Sequence, residues 1–183
     1  MNENKSIELR TERLRLRPLQ ENDLAHIQRY GVIEEFYKYL PIDGQTAEDI
    51  EVFLKARLAD QAAGTKERLT LAIEPFDVGH IVGTVRLEVQ NRKHKQGDIG
   101  YAMDLEYHGK GYMSEAVIKV LETAFGEYGL HRVWATVDTE NKPSCKLLER
   151  VGMTREGHLR QDMLIRGEWR DSFLYSILAT DAS

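Results

Sequence analysis

The sequence predicts an α/β (α+β) chain built on a mixed sheet, and three patterns carry that expectation. Leucine and arginine alternate strictly from Arg13 to Pro18, the period of a half-buried strand. Two strand pairs are joined by short glycine-containing turns, Pro75-Phe76-Asp77-Val78-Gly79 and Arg166-Gly167-Glu168, as hairpins are. Strand patterns at Asp98 to Met103 and Arg132 to Val137 flank a helical pattern, and an intervening helix makes two such strands parallel.

The chain has 183 residues, of which 42% are hydrophobic, enough for one substantial core, so a single domain over residues 1–183 is expected. A net charge of −5 implies no general attraction to nucleic acid or to anionic lipid. The N-terminal Met1-Asn2-Glu3-Asn4-Lys5 is polar, and no apolar run approaches the ~18 residues of a membrane span. A soluble, cytoplasmic protein is the expectation. Cys145 is the single cysteine, which excludes an internal disulfide and a multi-cysteine metal site and is a poor choice of nucleophile. The six histidines show no H-E-x-x-H spacing, and no G-x-S-x-G elbow points to a serine hydrolase.

Along the chain, Pro18 closes the first strand, and Asn22 to Tyr30 reads as a short helix ending at Gly31. Thr46-Ala47-Glu48-Asp49 resembles a capping box opening a second helix with Ile50, Phe53, Leu54 and Leu58 on its apolar stripe. Phe36, Tyr37 and Tyr39 lie between the two and read as core or as an acceptor-pocket wall, with core preferred. Leu69, Leu71 and Ile73 alternate, and Ile81 to Val89 completes the hairpin. The basic stretch from Asn91 to Gln96 reads most simply as a solvated turn, with recruitment of an acidic substrate as the alternative.

The helix after the strand from Asp98 to Met103 carries Val117, Val120, Leu121, Ala124 and Phe125 on one face, pairs Glu115 with Lys119, and is expected to end at Gly129. Pro143 marks the first turn of the next helix and Gly152 its end. Ser144, Leu147, Leu148 and Val151 share one face of it, which turns Ser144 towards the core, where a hydrogen bond to its own helix is the simplest role. Leu159 to Ile165 and Trp169 to Leu178 form the closing hairpin.

The stretch from Asp98 to Ala116 organises the chemistry. A strand runs into a loop with Gly109 and Gly111, and a helix follows at once. The glycines permit a tight turn and a close ligand approach, and the helix's first amides lack partners within it, so the order suits an anion such as a pyrophosphate. The spacing completes neither G-x-x-x-x-G-K-[ST] nor G-x-G-x-x-G.

From Met103 to Ala116 the loop resembles the coenzyme A pyrophosphate loop of the GNAT N-acetyltransferase superfamily, with His108, Gly111 and Met113 at the positions of that family's Gln or Arg, Gly, and Gly or Ala. Thr11 to Arg17, Asn141-Lys142-Pro143-Ser144 with Gly152-Met153, and Leu164 to Asp171 are similar to the RimJ/RimL ribosomal-protein N-acetyltransferase branch. The resemblance implies the GNAT acyl-CoA N-acyltransferase fold, a mostly antiparallel central sheet flanked by helices and ending in a β-hairpin. It implies an acetyl-CoA-dependent N-acetyltransferase acting on a primary amine in a ternary complex, without a metal. Expected partners are acetyl-CoA and an amine acceptor, among them a ribosomal or other protein N-terminus or a small molecule, with a homodimer left open and neither nucleic acid nor membrane.

By the same resemblance, Met103 pairs through its backbone with the pantetheine arm, His108, Gly109, Lys110, Gly111, Tyr112, Met113 and Ser114 hold the pyrophosphate, and Asn141 contacts the pantetheine or acceptor. Ser144 sits by the sulfur and serves the leaving thiolate, with Tyr101 as an alternative acid. Asp98, at the strand start where related enzymes place a glutamate, is the first choice of base, acting through water. Its plain alternative is an exposed carboxylate. Glu88, Asp104, Glu140 and Asp162 compete for the same role. A non-catalytic acyl-CoA-binding sensor is the alternative function, and a nucleotide-phosphate enzyme a third.

Overall fold

The computed structural model describes residues 7–42, 44–64 and 67–181. The polar N-terminal stretch Met1 to Lys5 lies outside them. One eight-stranded sheet runs in the order β1-β2-β3-β4-β5-β6-β8-β7. Its strands are β1 (Leu9–Arg10), β2 (Leu14–Pro18), β3 (Arg68–Pro75), β4 (Gly83–Asn91), β5 (Gln96–Met103), β6 (Arg132–Asp138), β7 (Thr154–Ile165) and β8 (Glu168–Leu178). The helices are α1 (Leu24–Gly31), α2 (Glu34–Tyr37), α3 (Ala47–Ala63), α4 (Tyr112–Gly126) and α5 (Lys142–Arg150). All neighbouring strands are antiparallel except β5 and β6.

Side-chain alternation sorts the core into two layers. Leu14 and Leu16 of β2 and Leu71 and Ile73 of β3 pack with Ala116, Val117 and Val120 of α4 and with Leu148 of α5. Ala72, between the two β3 residues, faces the other way and packs with Ile27 of α1 and Ile50 and Leu54 of α3. The expected capping box opens α3, with Thr46 Oγ1 accepting from Asp49 N at 3.2 Å and Asp49 accepting from Thr46 N at 2.8 Å. Among the described residues no helix is long and apolar enough to cross a membrane.

Several sequence expectations change in detail. The arginines of β2 do not simply face water: Arg17 is buried, with Asp23 accepting from its two Nη atoms at 2.9 and 2.7 Å and Glu74 accepting from Nε at 2.6 Å. Glu115 does not pair with Lys119. It accepts from Thr11 Oγ1, from Arg13 N at 3.0 Å and from Arg13 Nε at 2.7 Å, tying α4 to the turn before β2, while Lys119 bonds Glu122 at 2.9 Å. Thr11 and Arg13, which offer three donors between them, outcompete a half-buried lysine one turn away. The helix α4 stops at Gly126, short of Gly129, because the amides of Glu127 and Tyr128 both fold back onto the Thr123 carbonyl. The strand β7 begins five residues before Leu159, and its pairing with β8 shifts register between Leu159 and Met163. Of the aromatic cluster, Phe36 joins the core beside Tyr30, whereas Tyr39 lines a cavity.

Candidate active site

The strands β5 and β6 pair over only three residues, Gln96 with Arg132, Gly97 with Val133 and Asp98 with Trp134. Beyond Asp98 the two strands part, and the sheet opens into a cavity of about 320 Å³. Its walls include Ile99 and Tyr101 from β5, Ala135 and Val137 from β6, and Ser144 from α5. Met163 and Ile165 of the closing hairpin and Tyr39 and Leu40 of the segment before α3 complete it. The hairpin is held there by Arg166, whose guanidinium donates to the Ile42 carbonyl at 3.2 Å and to the Lys38 carbonyl.

Tyr101 and Ser144 meet in this cavity, with their hydroxyl oxygens 2.8 Å apart. Burial pushes the Tyr101 hydroxyl up to about 12, against the opposing pull of the Ser144 hydrogen bond, so it keeps its proton at neutral pH. Ser144 is thus engaged with a partner from the sheet, and not with its own helix turn as the simplest sequence reading held. Asn141 caps α5, its Oδ1 accepting from Ser144 N at 3.2 Å. Cys145 next door is buried, and burial raises its thiol, which leaves it a poor nucleophile.

The loop after β5 ends in two residues with left-handed backbone, Gly109 at φ +77° and Gly111 at φ +81°, and Gly111 is the N-cap of α4 without a side-chain cap bond. Tyr112, Met113 and Ser114 are buried, so what they present at the helix start is their backbone N–H groups. Met113, which departs from the small residue of the resembled pattern, points into the main core and leaves the loop uncrowded. Lys110 is exposed, its ammonium 4.8 Å from the centre of the Tyr107 ring. His108 turns back onto the strand end, Nε2 lying 3.1 Å from the Met103 carbonyl oxygen, so each of these two residues engages the other. A cation arrives from elsewhere in the fold: Arg150, at the end of α5, donates to Ser114 Oγ at 3.4 Å.

Asp98 is not an exposed carboxylate. It is buried at 6% exposure, with Oδ2 accepting from Arg86 at 2.6 Å and Oδ1 from Gln90 at 2.5 Å. Gly100 makes room for that arginine, since a Cβ there would stand 3.0 Å from Arg86 Nη2. The competing carboxylates scatter. Glu88 belongs to the same ionic ladder through Arg68 and Arg86, Asp104 pairs with Arg29, Glu140 is exposed, and Asp162 lies outside the main cavity beside the β7 register shift. Sequence reading passed over Arg150, whose position beside α4 only the packing of α5 reveals, and Asp138, which also lines the cavity. A polar residue ending the apolar run of β6 was the available signal for the second.

A known family model, the acetyltransferase (GNAT) domain, matches residues 13–154 of the chain. The chain belongs to the GNAT acetyltransferase family. It is similar to the uncharacterized N-acetyltransferase YnaD of Bacillus subtilis (strain 168), 33% identical over 168 residues that cover 92% of this chain and 95% of that one. Among solved structures it is similar to a GNAT-family acetyltransferase from Bacillus anthracis, with a TM-score of 0.85, 29% identity, and 95% and 99% of the two chains covered. It is similar also to Mycobacterium smegmatis RimJ in complex with CoA-disulfide, with a TM-score of 0.85, 26% identity, and 98% and 91% covered. This GNAT protein is therefore an acetyl-CoA-dependent N-acetyltransferase, with the family's mixed, mostly antiparallel sheet.

Proposed function

We propose that the chain transfers an acetyl group from acetyl-CoA to a primary amine by direct attack inside the split between β5 and β6. The observation that carries this reading is the hydroxyl pair of Tyr101 and Ser144, 2.8 Å apart in the cavity that the split opens. The backbone amides from Gly109 to Ser114 hold the pyrophosphate at the positive end of α4, with Arg150 supplying the fixed charge that His108 does not. His108 instead steadies the loop through the Met103 carbonyl, and Met103 meets the pantetheine arm through what remains free of its backbone.

The amine enters as an ammonium and loses one proton to solvent before attack, since an amine needs its lone pair. The C–N bond forms as the C–S bond breaks. The attacking nitrogen gives its second proton to water, Tyr101 relayed by Ser144 delivers one to the departing sulfur, and Tyr101 regains its proton from water. Asp98, filled by two donors, holds Arg86 in the wall and is assigned no proton transfer. An oxyanion forming beside β5 is met by a backbone amide near Tyr101 to Met103, a contribution of ~3 kcal/mol in other acyl-transfer enzymes.

The test is a thermal-shift titration with acetyl-CoA together with thiol release across a panel of primary amines, covering peptide N-termini, polyamines and amino acids. Binding raises stability by ~2.7 kcal/mol at a hundredfold excess over Kd. Steady thiol release with at least one amine is the expected result. A shift without turnover by any amine would turn the reading into that of an acyl-CoA sensor, and no shift at all would remove both.

A further inference from the structure

Asp138 is the last residue of β6 and lines the same cavity as Tyr101 and Ser144. It is 8% exposed, and its two oxygens are unequally used. Oδ1 accepts from Glu140 N at 2.8 Å and from Arg170 Nη2 at 3.2 Å. Oδ2 lies 3.2 Å from the same Arg170 nitrogen but is buried and has no hydrogen-bond partner. One nitrogen approaching both oxygens neutralises the charge while leaving acceptor capacity on Oδ2 unmet.

A desolvated carboxylate oxygen without a donor is costly, and a ligand that supplies the donor recovers that cost. The cavity's other carboxylate, Asp98, has a donor on each oxygen, and its arginines Arg86 and Arg170 are each held by a carboxylate. Asn141 N donates to the Asp138 carbonyl at 2.9 Å, a tight turn that keeps the carboxylate beside the start of α5, where Ser144 stands. Tyr39 and Trp134 line the same cavity, and aromatic side chains attract cations.

We propose that Asp138 is the residue that anchors the acceptor, its Oδ2 taking a hydrogen bond from an N–H of a primary amine so that the nitrogen is held beside the Tyr101 and Ser144 hydroxyls. This rests on the reading of the cavity given above and makes Asp138 the specificity-determining group for an amine, which brings several N–H donors, over an alcohol or thiol, which brings a single donor hydrogen that it must lose on reaction. Acetyl-CoA itself gains nothing from Asp138.

The experiment replaces Asp138 by Asn and by Glu and follows three quantities with a turned-over primary amine: acceptor KM, kcat and acetyl-CoA Kd. For Asp138→Asn the expected result is an acceptor KM raised about 10- to 100-fold, with acetyl-CoA Kd within twofold of wild type. Asp138→Glu recovers part of the acceptor affinity. A normal acceptor KM in Asp138→Asn that still binds acetyl-CoA overturns the assignment and leaves the acetyltransferase reading standing. Loss of acetyl-CoA binding together with acceptor binding, or no recovery in Asp138→Glu with a wild-type melting temperature, reduces Asp138 to a turn-forming residue and overturns it as well. A wild-type chain that binds no acetyl-CoA removes the reading beneath it.

Discussion

The Tyr101 hydroxyl stands 2.8 Å from Ser144 Oγ, joining the strand that opens the sheet to the helix that closes the cavity. In the proposed mechanism the pair forms one proton path, which removing either member would break. Tyr101→Phe and Ser144→Ala should each lower kcat, by ~100-fold or more if proton delivery limits the rate, with acetyl-CoA affinity kept. The double variant should cost little beyond the larger single loss, because coupled residues are not additive. Thiol-release kinetics on the three variants decide this. Independent, multiplying losses would show two separate roles.

Gly111 has φ +81°, and a Cβ there would stand 3.3 Å from Arg13 Nη2. Gly111→Val therefore strains the backbone by about 1–3 kcal/mol and places a branched side chain at the start of α4. The chain should still fold, with a modestly lower Tm, while the thermal shift from acetyl-CoA disappears. A variant that keeps the full shift would move the phosphate site away from this helix.

Arg150 is exposed and donates to Ser114 Oγ at 3.4 Å. If it supplies the charge at the pyrophosphate, Arg150→Met should weaken acetyl-CoA binding about tenfold, the scale of one charge-assisted hydrogen bond, and reduce its salt dependence, with kcat at saturation unchanged. Calorimetry at two ionic strengths measures both. Unchanged affinity at low salt would leave the loop amides as the whole site.

Glu156 lies beside Arg132, whose hydrogen bonds, together with one from Ser176, lower its carboxyl from 4.5 to about 2. A carboxylate depressed in the folded state contributes stability that is complete above the unfolded value of 4.5 and is lost as pH falls from 4.5 towards 2. Its side chain is 38% exposed, so screening limits the contribution to about 1 kcal/mol or less. Glu156→Gln should lower stability by that amount at pH 7 and by only a small part of it at pH 2, as urea melts at the two pH values will report.

Leu148 is 1% exposed and packs where α5 joins the main core next to the cavity wall. Leu148→Ala should cost ~2–5 kcal/mol. Because the helix carries Ser144, the same variant should also lower kcat more than it raises the acetyl-CoA Kd. A stability loss with intact kcat would show that α5 holds its place without this contact.

The amino-acid sequence by itself determined most of the elements, though not β1 or α2, and the glycine turn that starts α4. The Thr46 capping box, the glycines at 109 and 111 and the Pro143 helix start are local signals, each written within a few neighbouring residues, and the chain adopts all of them, while β2 and β3 form where expected but are buried on both faces at Leu16–Arg17 and from Thr70 to Ile73. The identity of Ser144 as a residue turned inward was legible for the same reason. What only the tertiary structure decided is where charges and hydroxyls find partners, because those contacts join residues far apart in sequence. Glu115 meets Arg13, Asp98 meets Arg86, Ser144 meets Tyr101 and Arg150 meets Ser114, and none of these pairings leaves a periodic trace. Asp138 shows the limit most clearly. In sequence it is one more acidic residue before a turn, and only the tertiary structure brings the residue into the wall of a cavity and leaves its Oδ2 without a hydrogen-bond partner.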